Sequence, residues 1–292
     1  MTTNIKYPYL IAEVGGNHAG NFKFAKQAIV NAKKAGADCV KYQWYSAEKI
    51  VHPKMKVMKH VRQKSKEKTQ LERFKNLELS KDQIKQLFLL SKQNKIDFCV
   101  TPFNIEYVSF LSQYVNFFKI ASGDLDFIPL LEEINLQKKP VFLSTGLSTD
   151  KKIKNALNIL NKCKVTILHC ISSYPTPIEE ANLSNIINLK KKFKCDVGLS
   201  DHTTSNISSI VAVGMGAKVI EKHFLPNKNI KNVGDYELSL NPKNFKVLRN
   251  QINEAYLSLG NSRKNIYKAE TNFNKTLKRS IYFSRFIKSG SK

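Results

Sequence analysis

Two apolar runs in this chain each finish on a histidine: "VGLSDH" ends at His202 and "KVIEKH" at His223. Two imidazoles at the mouths of neighbouring strands suit a divalent transition metal with open coordination positions. Two protein ligands are few for a structural site. Water and substrate would complete the shell, which is what a Lewis-acid role needs. No cysteine accompanies either histidine, so a closed structural zinc is not expected. The plain alternative is a pair of hydrogen-bonded core histidines.

Two lysines stand inside other apolar runs, Lys41 in "CVKYQ" and Lys119 in "FFKIAS". One such lysine alone can snorkel from a strand edge. Burying both without anionic partners would cost several kcal/mol each. Hydroxyls recur at the same strand ends: Thr101, Ser122, Ser144, Thr145, Ser172, Ser173 and Ser200. One strand-end hydroxyl ordinarily satisfies nearby backbone. Two inward lysines with a ring of them ask for a bound anion carrying phosphate and carboxylate. Glu13, Gln43, Asp124, Tyr174, Asp201 and Glu221 complete the strand-end polar set.

These groups need elements that bring them together. Short β-rich runs are read at 9–15, 39–45, 97–103, 117–122, 140–146, 165–171, 196–202 and 218–224. Segments of helical period lie between them, among them 22–35 and 81–95, and a long final helix covers about 241–259. The stretch 50–75 reads as basic and irregular. Continuous apolar strands linked by helices imply a parallel sheet covered on both faces. Eight such units in about 260 residues fit a TIM (β/α)8 barrel with a short C-terminal extension better than any open sheet. A doubly wound sheet of fewer strands is the alternative. In a barrel the active site is built at the C-terminal strand ends, where all these polar residues fall.

Composition narrows the partners. Lys+Arg number 48 against 23 Asp+Glu, a net charge of +25, yet only six of the 48 are arginine. The lysines spread over nearly every polar face. A nucleic-acid binder concentrates charge in a stripe and reads base edges with arginine, so no nucleic-acid partner is expected. The bias reads as that of an AT-rich genome, and the positive field favours an anionic substrate. Five cysteines without a C-x-x-C pair read as reduced, mostly buried thiols. The opening "MTTNIKYPYLIAEVGG" lacks the pattern of a signal peptide, and no apolar run approaches ~18 residues. A cytoplasmic protein without a membrane span is the expectation.

In order along the chain, "IAEVGGNHAGN", "GADCVKYQ", "TPF", "KIASGDL", "LSTGLST", "LHCISSYPTP", "GLSDHT" and "GAKVIEKHF" resemble the sialic acid synthases. That family condenses phosphoenolpyruvate with an N-acetylated hexose, releasing phosphate and forming a nine-carbon 2-keto acid. The resemblance runs over about residues 8–285, and eight motifs in order are specific where any one is weak. It implies phosphoenolpyruvate contacts at Lys41, Thr101, Lys119, Ser122, Ser144, Ser172 and Ser200. It implies manganese or magnesium on His202 and His223, and sugar contacts at Gln43, Asp124, Tyr174 and Asp235. Glu13 becomes a candidate acid/base, with Lys41, Lys119 and Tyr174 beside it in the catalytic set.

The chain departs from the pattern in places. Asp124 often corresponds to Glu and Ser172 to Asn. The loop "LPNKNIKNVGDYELSL" differs from the usual Pro-Asp-His or Pro-Asp-Ser, which leaves the sugar open. N-acetylmannosamine is one acceptor; the dideoxy diacetamido sugars of legionaminic and pseudaminic acid are others. The family continues into an antifreeze-like domain that reaches a partner subunit's site and donates an arginine there. "LKRSIYFSRFIKSGSK" resembles only its linker and opening. The expected organisation is therefore a barrel over 1–262 and a linker with a truncated domain start over 263–292, with a homodimer possible. A truncated paralogue that binds ligand or partner without turnover is the alternative of another class.

Overall fold

A computed structural model describes residues 8–58, 61, 67–227, 230, 233–273 and 276–292. Eight parallel strands form one sheet: β1 (Tyr9–Glu13), β2 (Cys39–Trp44), β3 (Asp97–Pro102), β4 (Phe118–Ile120), β5 (Val141–Ser144), β6 (Val165–Cys170), β7 (Asp196–Asp201) and β8 (Val219–His223). Their order is β3-β2-β1-β8-β7-β6-β5-β4, and β3 and β4 lie side by side without a hydrogen-bonded ladder. The result is a nearly closed TIM barrel with helices between the strands, as the alternation of runs predicts.

The pleat sorts each strand into two layers, because successive side chains point to opposite faces. Inward positions at the N-terminal half are apolar: Tyr9, Ile11, Cys39, Cys99, Phe117, Phe142, Leu168 and Val219 pack into one plug. Phe117 and Phe142 rings sit 4.6 Å apart, and Tyr9 meets Phe117 edge-on at 6.2 Å. Two residues further along, the same inward column turns polar with Glu13, Lys41, Thr101, Lys119, Ser144 and Glu221, all buried. Outward positions such as Leu10, Val40, Val100, Ile120, Leu143, Ile167 and Ile220 join the helices in the main core. Each buried aliphatic there contributes about 1.5–3 kcal/mol by leaving water. The plug closes the barrel floor, so the polar layer opens only upward.

Observed strands stop one or two residues short of the expected ends, because the last residues already turn into the loops that carry the site. The stretch 50–75 is not wholly irregular. Gln70–Leu77 is a helix, started by a capping box in which the Thr69 side chain accepts from the Glu72 backbone and Glu72 reaches back. Residues 59–60 and 62–66 of that stretch lie outside the described residues. The final helix is Pro242–Ser258. Its Arg249 donates to the carbonyls of Gly36 and Pro8 at 2.9 Å each and pairs with Asp38, which ties the last helix to the strand starts. By internal contacts the chain divides into Met1–Ser258 and Leu259–Lys292. The second part is exposed throughout its described residues and carries one 3-10 turn, Lys268–Phe273. No helix among the described residues is long and apolar enough to cross a membrane.

Candidate active site

Above the plug lies a cleft of about 720 Å³. Every residue expected to bind substrate or metal or to act in catalysis lines it except Asp124; of the other strand-end polar residues, Thr145 and Asp201 do not. Asp124 ends the tight turn Ser122–Asp124. The chain reverses within that turn, so Ser122 faces the cleft and the residue two positions on does not. Burial and then the nearby Asp126 push its carboxyl up to about 6.

The two lysines have anionic partners after all, contrary to the expectation that they wait for a ligand. Lys41 Nζ lies 2.6 Å from Glu13 and 3.6 Å from Glu221, and donates to Thr101 Oγ1 at 3.2 Å. Lys119 Nζ donates to Glu221 Oε1 at 3.1 Å. Ser200 donates to the same oxygen at 2.9 Å, and Gln43 Nε2 to Glu13 Oε1 at 2.9 Å. Two cations and two anions thus balance inside the barrel. Their environments differ. Burial drives the Glu13 carboxyl up from the ordinary range despite Lys41. Burial also acts on Glu221, but Lys119 and Lys41 outweigh it and hold that carboxyl down at about 2. One carboxyl is poised to take a proton and its neighbour stays charged.

Beside Lys119 the wall carries hydroxyls without partners. Ser144 Oγ and Ser172 Oγ are buried and accept or donate nothing among the described residues. Gly146 N donates to Ser122 Oγ at 3.0 Å. A Cβ on Gly146 would collide with Ser172 Oγ and come within 2.9 Å of Ser122 Oγ, so the missing side chain leaves the space into which these hydroxyls converge. Orphaned donors around an opening next to a lysine form a seat for a multiply charged anion.

The histidines follow β7 and close β8. Their ring centroids are 5.5 Å apart, and the Tyr174 ring packs 4.3 Å from His202 and edge-on to His223. His202 Nδ1 lies 2.8 Å from the Ile171 carbonyl, which can only accept, so Nδ1 carries a proton. Burial works against the charged ring, but Cys170, that carbonyl and Glu221 outweigh it and raise the His202 pKa. His223 Nδ1 is buried and forms no hydrogen bond, with Asp235 Oδ2 3.6 Å away. Burial pushes His223 down to about 4, so it is neutral near pH 7. Two buried imidazoles lining one cleft fit a divalent ion. Among the described residues no third His, Cys, Asp or Glu completes a three-ligand cluster, which leaves positions for water or substrate.

Asp201 and Lys222 precede the two histidines and are paired across β7 and β8. The pleat turns them outward, away from the cleft. Their charges meet at 3.0 Å, both essentially unexposed. Asp201 also accepts from Thr203 N at 2.9 Å, Thr203 Oγ1 at 2.8 Å and Ser209 Oγ at 2.6 Å. Lys222 donates to the carbonyls of Thr203 and Ser205. The pair fixes the loop that leaves His202. Sequence reasoning set Glu221 at a strand end without a role and overlooked Lys222, Gly146 and the helix Gln70–Leu77 at the mouth. Strand parity was the signal for Lys222, and the Thr69–Glu72 capping box was the signal for the helix; nothing local marks Gly146.

A family model described as the NeuB family matches residues 28–264. The N,N'-diacetyllegionaminic acid synthase of Campylobacter jejuni is 37% identical over 98% of this chain and 87% of its own length. The pseudaminic acid synthase of the same species is 33% identical over 98% of this chain and 84% of its own. Among solved structures, the N-acetylneuraminic acid synthetase of Leptospira borgpetersenii superposes with a TM-score of 0.82 at 30% identity, covering 96% of this chain and 97% of that one.

Proposed function

This chain belongs to the NeuB family, and on that footing we propose that its cleft condenses phosphoenolpyruvate with an open-chain N-acylated hexose, giving a nine-carbon 2-keto acid and phosphate. The observation that carries the reading is the interleaved Glu13–Lys41–Glu221–Lys119 cluster, in one cleft with unpartnered hydroxyls and two buried histidines.

Phosphoenolpyruvate enters as an anion that competes with the carboxylates for the lysines. Lys41 and Lys119 take its phosphate and carboxylate, with Ser122, Ser144, Ser172 and the Gly146 N–H around the oxygens and Thr101 and Ser200 at the lysine side. Positioning of this kind and charge already in place supply most of the acceleration. Carbon 3 attacks the aldehyde carbon, positive charge builds at carbon 2, and water adds there. The tetrahedral intermediate loses phosphate by C–O cleavage. Glu13 stands against one lysine and one amide, and it moves the proton of the attacking water. Glu221, held between two lysines and Ser200, remains an anion and keeps them in register. Gln43, Tyr174 and Asp235 face the acceptor sugar.

His202 and His223 would hold a manganese or magnesium ion, which when bound polarises the aldehyde oxygen as a Lewis acid. Five unpaired cysteines support a reducing, cytoplasmic setting for the reaction. The likeness to legionaminic and pseudaminic acid synthases favours a diacetamido acceptor over N-acetylmannosamine as a second form of the same reading.

The test is phosphate release with phosphoenolpyruvate and each sugar, with the product followed by mass spectrometry. Stoichiometric phosphate and a nine-carbon keto acid are expected, lost on chelation and restored by either ion. Absence of phosphate release with every acceptor would overturn the synthase reading, and full activity in metal-free protein would overturn the Lewis-acid role.

A further inference from the structure

The helix Gln70–Leu77 turns one whole face to the cleft. Gln70, Arg73, Phe74 and Leu77, spaced i, i+3, i+4 and i+7, all line it. Two of the four are donors without an acceptor among the described residues. Gln70 is fully buried, its Oε1 accepts from Met58 N at 3.3 Å, and its Nε2 has no partner. The Arg73 guanidinium pairs with no carboxylate among the described residues. Gly234 lies close against it: a Cβ there would collide with Arg73 Nη2 and come within 2.6 Å of Val61 Cγ1. The remaining surfaces are apolar: Leu77, Met58, and Phe74, whose ring lies tilted 5.1 Å from the Tyr45 ring. Next to Gly234 in the chain is Asp235, which faces His223 at 3.6 Å. The feature therefore borders the acceptor end of the cleft.

We propose that Arg73 and Gln70 form a specificity seat for an N-acyl group of the acceptor sugar, donating to its carbonyl oxygen while Leu77, Met58 and Phe74 surround its methyl. Two donors on one helix face that line the cleft without an acceptor among the described residues ask for an acceptor-only atom, and an unpartnered buried amide is costly until one arrives. The apolar wall separates an acyl amide from a phosphate: a methyl gains by leaving water, whereas phosphate oxygens would lose hydration against Leu77 and Phe74.

The inference rests on the synthase reading for the identity of the acceptor, so the experiment measures binding as well as turnover. With the full 292-residue chain, saturation-transfer NMR and kinetics compare N-acetylmannosamine, mannosamine, a 2,4-diacetamido hexose and N-acetylmannosamine 6-phosphate. Arg73→Met is expected to weaken an N-acylated sugar about tenfold or more, to erase saturation of its acetyl methyl, and to cut the preference for N-acetylmannosamine over mannosamine by the same factor. Arg73→Lys should recover part of the loss, and Gln70→Met should reduce the same preference. Phosphoenolpyruvate affinity and melting temperature should not move with Arg73→Met. Equal weakening of acylated and free-amine sugars, or no weakening, overturns the seat. A preference for the 6-phosphate that Arg73→Met abolishes overturns the acyl assignment in favour of phosphate. If no acceptor yields phosphate while acetyl-selective, Arg73-dependent binding persists, the synthase reading falls and the seat stands.

Discussion

Replacing Lys222 with methionine deletes a buried ammonium and keeps most of the packed stem. In the native protein that ammonium meets Asp201 at 3.0 Å, with both side chains essentially unexposed. It also supplies the donors for the Thr203 and Ser205 carbonyls. After the change Asp201 keeps three donors, Thr203 N, Thr203 Oγ1 and Ser209 Oγ, but its charge loses its counter-ion. Breaking one side of a buried pair costs about 3–5 kcal/mol, since the surviving charge stays out of water. For a domain of this size that lowers the melting temperature by roughly 6–20 °C. Asp201→Asn alone should be costly for the mirror-image reason, a buried lysine left unpaired. The double variant Asp201→Asn/Lys222→Met removes both charges together, so its loss should fall short of the summed single losses by about 0.5–3 kcal/mol. Urea titration of all four proteins gives the cycle. Strict additivity, or a loss under about 1 kcal/mol for Lys222→Met, would refute the reasoning that these two residues act as one buried pair.

Gly146→Ala places a methyl among Ser172 and Ser122, so the KM for phosphoenolpyruvate should rise about tenfold with the melting temperature nearly unchanged, as steady-state kinetics and calorimetry would show. Glu221→Gln leaves Lys119 without its carboxylate, which should destabilise the ligand-free protein by about 3 kcal/mol. Added phosphoenolpyruvate should then raise its melting temperature more than it raises the wild type's, because the anion supplies the missing charge; an equal shift contradicts the counter-ion role. His202→Ala should abolish manganese binding by titration calorimetry and leave phosphoenolpyruvate binding in place, whereas Lys119→Ala should do the reverse.

The barrel was legible in the sequence because every strand is a short apolar run and every connection has helical length. The strand-end groups were legible for the same reason: a polar residue closing an apolar run stands out. What stayed hidden depends on distance along the chain. Lys119 and Glu221 are 102 positions apart, so their pairing exists only once the sheet has curled round. The lysines therefore looked unpartnered when each had a carboxylate waiting across the barrel. Asp124 shows the converse failure. It follows an apolar run like the others, yet a tight turn intervenes and takes its carboxyl out of the cleft. The helix Gln70–Leu77 was masked by the basic stretch before it, although Leu71, Phe74 and Leu77 and the Thr69–Glu72 cap were present to be read.

The alternation along the strands has an evolutionary consequence. In β7 and β8, Ser200 and Glu221 look into the cleft, while Asp201 and Lys222, one position on, look into the helical shell. Adjacent codons in these strands answer to separate selective pressures, one set by the molecule being transformed and the other by the survival of the fold. A lineage exploring new sugars can drift at one parity while the other parity holds the scaffold fixed. A saturation mutagenesis map of β7 and β8 should therefore read as a two-residue stripe, with activity defects and abundance defects trading places at each step.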